Sequence, residues 1–289
     1  MKNLIDLVGN TPMVEAEGIG IKLEYLNPTG SHKDRIALSM IINARSLRKG
    51  SVVVEYTSGN TGISVAWAAS ILGYRAIILV PKGTEEQKIR MIRAFGANVV
   101  MVNENEDGHE IAEQIAKDEG GVYLHQTRNA ANYQAHYTTT GPEILRDSPN
   151  SDCFVMGMGT GGTVYGVGKY LKEHGDFRVV ALLPKGSYAQ EILTGKNEVD
   201  EHIMEGFSYH SFSEIAKKAI DEGVVDEIIF ASSKDALEGM KILFKHSIPG
   251  GPTSGANFYH ALSLKKRCKP VTIAADSAIR YPDILKRIF

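Results

Sequence analysis

The chain has 289 residues, 43% of them apolar and 23% charged, with 32 Lys and Arg against 34 Asp and Glu. At roughly 150 residues per domain this suffices for two domains, and the balance is that of a globular protein, which excludes disorder, collagen-like repeats and coiled coil. A net charge of -2, without long runs of either sign, excludes binding to nucleic acid or a membrane surface through bulk charge. Two cysteines, Cys153 and Cys268, make no disulfide framework, and no Cys/His cluster has metal-ligand spacing. Residues 1–9 hold one basic residue, an acidic interruption at Asp6 and no long apolar run, so no signal peptide is expected. The apolar run 63–72 is too short to span a bilayer. A cytoplasmic home without a metal is the expectation.

Taken in chain order, residues 27–35 (NPTGSHKDR) read as a turn running into a helix, and 51–56 (SVVVEY) as a strand. Residues 57–62 (TSGNTG) form a loop that opens the helical run 63–72. Strands at 75–80, 98–102 and 122–125 follow, with an amphipathic helix at 85–95. A strand at 153–156 leads through the loop 157–163 (GMGTGGT) into a helix at 164–174. Strands at 178–183, 227–230 and 271–275 and helices at 233–246 and 256–267 complete the pattern, with the loop 250–256 (GGPTSGA) before the last helix. Strands this continuously apolar suit a parallel sheet buried on both faces, and their alternation with helices means an α/β fold with right-handed crossovers. Ligands in such sheets sit where strand ends lead into helix N-termini, which points to the three Gly/Ser/Thr-rich loops.

Each loop has its own chemistry. The four glycines and two threonines of 157–163 let backbone N–H groups converge on an anion at a helix N-terminus, and phosphate is the natural guest. No Gly-Lys-Ser/Thr follows, so this is not a P-loop, and no acidic residue ends the next strand as a dinucleotide site needs. The smaller loop 57–62 suits a carboxylate, although Asn60 or Thr61 acting only as helix N-cap would explain part of it. Lys33, an ordinary surface charge if read alone, becomes a candidate Schiff-base amine beside two anion loops.

Together these segments resemble the pyridoxal-phosphate enzymes of the tryptophan-synthase β-like fold, and among them the cysteine synthase / cystathionine β-synthase family. The likeness runs from Val8-Gly9-Asn10-Thr11-Pro12 through the Lys33 segment and residues 57–62. It continues through 138–144 (TTTGPEI) and the 159–163 loop to Asp276-Ser277 and Arg280-Tyr281. The resemblance implies two domains with mostly parallel twisted sheets: a smaller mobile domain at about 36–135 and a larger cofactor-binding domain formed by 1–35 and 136–289. It implies that Lys33 anchors pyridoxal 5'-phosphate and later serves as base at the substrate α-carbon. Gly159, Thr160, Gly161, Gly162 and Thr163 would cradle the phosphate, and Asn60 would bond the ring hydroxyl. Thr57, Ser58, Thr61 and Gln126 would hold the substrate carboxylate. Thr253, with Ser254 as its neighbouring candidate, would meet the pyridine nitrogen. A neutral hydroxyl there makes a weaker electron sink, which favours prompt β-elimination.

The implied reaction is β-replacement on an O-activated L-serine, O-acetylserine or O-phosphoserine, with sulfide to give L-cysteine, in a homodimer that can also dock serine acetyltransferase. The chain departs from the family at Gln126-Thr127 (usually Gln-Phe), Leu183-Pro184 (often Glu-Pro) and a single Gly206 in a loop that usually has a glycine pair. His32 before Lys33 is similar to the tryptophan-synthase relatives. Arg128, Lys185 and His210 are candidates for recognising a phosphoryl leaving group. Cystathionine β-synthase, serine/threonine dehydratase and threonine synthase chemistry stay open in the same fold. A nicotinamide-dependent oxidoreductase built on 157–162, or a non-catalytic binding partner, would be a different class.

Overall fold

The computed structural model describes residues 3–195, 203–207 and 212–288. The chain divides into two compact units, one formed by Lys33–Asn132 with Met1–Val8 and the other by Gly9–His32 with Tyr133–Phe289. The second unit opens with an antiparallel hairpin, β1 (Met13–Ala16) and β2 (Ile19–Leu23), absent from the sequence expectation. Its turn residues Glu17 and Gly18 both have positive φ, 52° and 72°, the backbone that a two-residue hairpin turn demands. β1 is short, half exposed and at the sheet edge, so it carries little of the apolar pattern by which strands are recognised.

The first unit follows as α1 (Lys33–Asn43), β3 (Val52–Tyr56), α2 (Asn60–Leu72), β4 (Arg75–Pro81), α3 (Glu86–Ala94), β5 (Asn98–Val102), α4 (Gly108–Asp118) and β6 (Val122–Tyr123). Its four strands are all parallel, in the order β5-β4-β3-β6. One face packs Val52, Val54, Ile77, Leu79 and Val102 against Ala112 and Ala116 of α4. α2 lies close to the sheet because Gly62 has no side chain; a Cβ there would stand 2.9 Å from Ile78 and 3.0 Å from Ile92. α4 starts at Asp107, whose carboxylate accepts the N–H groups of His109 and Glu110.

α5 (Ala130–Ala135) contains the boundary between the units and runs through a π-helical turn (His136–Thr140) into α6 (Gly141–Asp147). Then come β7 (Cys153–Gly157), α7 (Gly162–His174), β8 (Arg178–Pro184), α8 (Tyr188–Thr194), α9 (Glu214–Asp221), β9 (Glu227–Ala231), α10 (Ser233–Lys245), α11 (Pro252–Leu264), β10 (Pro270–Ala274) and α12 (Pro282–Ile288). The six-stranded sheet has the order β1-β2-β10-β7-β8-β9, and every pair after the hairpin is parallel. The mostly parallel sheets and their flanking helices are an α/β architecture of the kind the resemblance implies.

Two expectations shift for local reasons. The helix expected at 256–267 begins at Pro252, a residue suited to a first helical turn, and stops at Leu264. The strand expected at 122–125 ends at Tyr123, because His125 takes a φ of 53° and turns the backbone out of the sheet.

The Thr11 segment proves structural. Lys22, without solvent exposure, lies 2.9 Å from Glu143 and 3.1 Å from Asp147, and its amine donates to the Thr11 carbonyl at 2.6 Å. The Thr11 hydroxyl donates to Glu24, which also accepts from Asn27. A buried ammonium survives only with partners of this quality, and removing it strands the carboxylates. Lys22→Ala is expected to cost about 3–5 kcal/mol, read as a shifted midpoint in urea unfolding of the purified protein.

Candidate active site

In the first unit the loop that leaves β3 and the loop that leaves β6 are neighbours, because β3 and β6 pair directly while the chain between them passes through β4 and β5 on the other side. Such a reversal of strand order is where open α/β sheets bind ligands. The β3 loop carries the candidate carboxylate residues. Thr57 is buried and its hydroxyl accepts the Gly59 N–H at 3.2 Å, Ser58 is exposed, and Thr61 is buried. The N-cap of α2 is Gly59, so Asn60 is the first helical residue and neither Asn60 nor Thr61 is the cap considered from sequence. Gln126, buried in the β6 loop, accepts the Thr61 hydroxyl proton on Oε1 at 2.8 Å. Its carbonyl accepts from the Asn132 amide at 2.7 Å. The structure thus brings Thr61 and Gln126 together at the head of α2, with its N-terminal backbone donors and positive helix end. Lys33, half buried, is the first residue of α1 in this unit.

Glu55, the residue two before Thr57, went unnoticed in the sequence. It is fully buried, and its carboxylate accepts the N–H of Tyr56 at 3.0 Å and that of Gln126 at 3.2 Å. Burial pushes its pKa up to about 8, against the lowering effect of those two bonds and of the Lys33 charge. Beside it stands an aromatic cluster: His125 stacks on Tyr123 and on His109, and Tyr56 meets His109 edge-on. His109 Nδ1 lies 2.5 Å from the Tyr123 hydroxyl. Burial pushes Tyr123 far up and His109 down, so both stay neutral near pH 7.

In the second unit the same reversal lies between β7 and β10, which pair directly while β8 lies on the other side of β7. The loop after β7 carries Gly159, Thr160, Gly161, Gly162 and Thr163 into α7, whose N-cap is Gly161. Gly161 has φ 81°, and a Cβ there would run into the Ala216 backbone, with its amide at 2.5 Å, so only glycine makes this turn. Thr160 and Thr163 are buried. Sequence reasoning missed two supports of this loop. His136, in the π-helical turn, meets the Thr163 hydroxyl with Nε2 at 3.2 Å and Thr140 with Nδ1 at 2.9 Å. Asn257 of α11 accepts the Gly157 N–H at 2.8 Å and donates to the Ile273 carbonyl, tying β7 to β10. Neither signals itself by spacing, because each acts across about a hundred residues of chain or fewer without a motif of its own.

Thr253 and Ser254 both lie buried in the first turn of α11. The Ser254 hydroxyl accepts the Ala275 N–H at 3.0 Å and faces the Asp276 carbonyl at 3.4 Å, whereas the Thr253 hydroxyl makes no hydrogen bond among the described residues. Ahead of Lys33 in sequence, His32 donates its N–H to the Ala275 carbonyl and holds its ring Nδ1 3.2 Å from the same oxygen. The Arg280 guanidinium donates to the Thr29 carbonyl, and Tyr281 donates to Asp276 at 2.6 Å. The C-terminal Asp276 to Tyr281 motif therefore anchors the turn that precedes the lysine. Arg128 and Lys185 are solvent-exposed and belong to different units, and His210 lies outside the described residues.

A lysine at a helix start and Gly/Ser/Thr-rich loops at two helix N-termini are features the comparisons with known proteins bear on. The family model "Pyridoxal-phosphate dependent enzyme" matches residues 4–275. A probable cysteine synthase of Bacillus subtilis is 37% identical, covering 96% of this chain and 95% of its own. The crystal structure of an O-ureido-L-serine synthase superposes with TM-score 0.90 at 29% identity, covering 100% of this chain and 96% of that one. O-acetyl serine sulfhydrylase isoform 3 of Entamoeba histolytica superposes with TM-score 0.88 at 30% identity, covering 99% and 92%. The chain belongs to the pyridoxal-phosphate-dependent enzymes, in the cysteine synthase / cystathionine β-synthase family. It is a cysteine synthase-like transferase.

The residues present suit that cofactor. The loop after β7 offers backbone N–H groups and two buried hydroxyls with no carboxylate in it, a donor set for a phosphate dianion. Thr253 supplies a neutral buried hydroxyl with no partner of its own among the described residues. None of the described helices is long and apolar enough to cross a membrane.

Two outcomes follow from this geometry. Gly161→Ala forces a left-handed backbone costing about 1–2 kcal/mol and drives a methyl into Ala216, so cofactor content after dialysis should fall sharply, read by absorbance. Glu55 has its pKa raised from 4.5 in the unfolded chain to about 8 in the fold. Its contribution is therefore full below the lower value and is lost as pH rises toward the upper one. The stability of the wild type relative to Glu55→Gln should fall across that window, measured by thermal unfolding at a series of pH values.

Proposed function

We propose that the enzyme replaces the β-substituent of an O-activated L-serine with sulfide, giving L-cysteine, and that O-acetylserine is the donor. The observation that carries the reading is the neutral Thr61–Gln126 pair at the head of α2, beside the backbone N–H groups of a helix N-terminus that suit a carboxylate. The exposure of Arg128 and Lys185 favours a neutral ester over a phosphoryl donor, since an exposed cation gains little from pairing with an anion in water.

The chain's own groups divide the work. Thr57, Ser58, Thr61 and Gln126 bind the carboxylate and so orient the Cα–H bond toward the base. Gly159, Thr160, Gly161, Gly162 and Thr163 would hold the cofactor phosphate, Asn60 would bond its ring hydroxyl, and Thr253 would meet its ring nitrogen. Pyridoxal phosphate, when bound, draws electrons from the substrate α-carbon. The Lys33 amine would accept the α-proton, and acetate would then leave the β-carbon. Sulfide adds at that carbon, Lys33 returns a proton to the α-carbon, and cysteine departs. Thr253, a hydroxyl without a charge, would leave the ring nitrogen of the cofactor largely unprotonated, which would suit elimination over prolonged carbanion chemistry. Closure of a smaller domain at about 36–135 would exclude water. The homodimer and the serine acetyltransferase contact implied by the family remain part of this reading, to be read by light scattering and pull-down.

The purified protein should absorb in the visible, and Lys33→Ala should lose the borohydride-bleached fraction of that band. O-acetylserine should shift the spectrum and sulfide should reverse the shift with release of cysteine. A response to O-phosphoserine alone, or a shift followed by pyruvate release without cysteine, would replace this reading with a phosphoserine-using or dehydratase one.

A further inference from the structure

Glu55 is an ionisable group that the reaction above does not use, set at the root of both carboxylate-binding loops. In the β3–β6 ladder the last regular bond runs from the Leu124 N–H to the Val54 carbonyl at 2.9 Å. In a parallel ladder the next donor is the N–H two residues on, that of Gln126. His125, at φ 53°, has by then turned the chain away, and the Glu55 side chain takes that N–H instead. Its other oxygen takes the N–H of Tyr56, directly before Thr57. One buried carboxyl thus fixes where both loops leave the sheet, and the Gln126 it holds is the residue whose side chain meets Thr61.

The charges around it include Arg128 and Asp107, both of which act on its neighbours Tyr123 and His109. α1 presents Lys33, which acts on Glu55 by charge, and Asp34, which is bonded to Ser64 of α2. β6 presents Tyr123, whose acidity Glu55 weakens, and α4 presents His109, bonded to Tyr123. α2 has no charged residue in its sequence, and the one cation of β4, Arg75, pairs with Glu119 and stands opposite Val52. A full negative charge here would sit a few residues from the cradle in a setting that screens it poorly, and a substrate carboxylate entering the cradle would be repelled by it.

We propose that Glu55 is a positioning residue that sets the geometry of the carboxylate cradle and lets an anionic substrate dock only while it is itself protonated. The inference rests on the cradle reading of Thr57, Ser58, Thr61 and Gln126 given above. Either oxygen of a protonated carboxyl keeps a lone pair for its backbone N–H, so the clamp persists while the charge is absent. Burial, which raises the carboxyl to about 8, makes the uncharged form available at neutral pH. Tyr123, pushed far up by burial, does not titrate in the same range.

The test uses a carboxylate that lacks an amine, so that no amine titration enters. Binding of propionate to the purified holoenzyme is followed by saturation-transfer NMR from about pH 6.5 to about pH 9.5. The wild type should lose roughly fivefold or more in affinity across that range, with a midpoint near the Glu55 value, while Glu55→Gln stays flat. A flat wild-type profile, or an equal loss in Glu55→Gln, overturns the role of Glu55 and leaves the cradle standing. No competition between propionate and the amino-acid substrate at any pH overturns the cradle and this inference together. If Glu55→Gln does not fold, Glu55→Asp serves: it should keep a pH-dependent affinity with a displaced midpoint, and a flat profile from a folded Asp variant overturns the proposal.

Discussion

Strand order is the constraint on which the site depends. A parallel sheet whose strands are added first to one side and then to the other leaves one gap where adjacent strands send their loops in opposite directions. The first unit has that gap between β3 and β6, and the second between β7 and β10. Each candidate loop begins at such a gap: 57–61 and Gln126 at the first, 159–163 at the second, with Asp276 following β10. Gly, Ser and Thr are concentrated there because the helix that follows each loop needs its N-terminal N–H groups exposed to a ligand, and larger side chains would cover them.

Two of the fully buried ionic groups, Lys22 and Glu55, show opposite solutions to the same cost. Lys22 keeps its charge and surrounds it with two carboxylates and a carbonyl, which makes it a structural pin between the hairpin and α6. Glu55 has backbone donors and the charge of Lys33, with no ion pair like that of Lys22 shown among the described residues, and burial instead moves its proton equilibrium toward neutral pH. Charge buried with a partner is fixed, whereas charge buried without one becomes responsive to solution conditions.

Much of this was legible in the chain. The buried strands announced themselves because parallel strands covered on both faces have long apolar runs, as in residues 52–54 and 179–184. The phosphate loop and the carboxylate loop were legible because their chemistry needs several small or hydroxylated residues in sequence. The hairpin of β1 and β2 was not, since its edge strand is half exposed and its turn uses Glu-Gly instead of the Asn-Gly signal. Glu55, His136 and Asn257 were invisible for a different reason: each is a single residue whose meaning lies in what it touches across the sheet or along a neighbouring helix. Ser254 could not be separated from Thr253 by position alone, and only the hydrogen bond from Ala275 to the serine hydroxyl tells them apart.

The pairing of β2 with β10 has a consequence for synthesis. Gly20 and Val271 are partners in the sheet, so the second unit cannot close its central strands until nearly the whole chain has left the ribosome. The first unit draws almost all of its structure from one contiguous stretch, Lys33–Asn132, and has its four strands in hand long before. A nascent chain therefore carries a finished insert while the β1–β2 hairpin and then β7 wait with open edges for a strand made last. During that interval the exposed apolar edge of β2 is the segment most in need of a chaperone, and a ribosome stalled after α11 would release a chain with one folded unit and one that cannot fold.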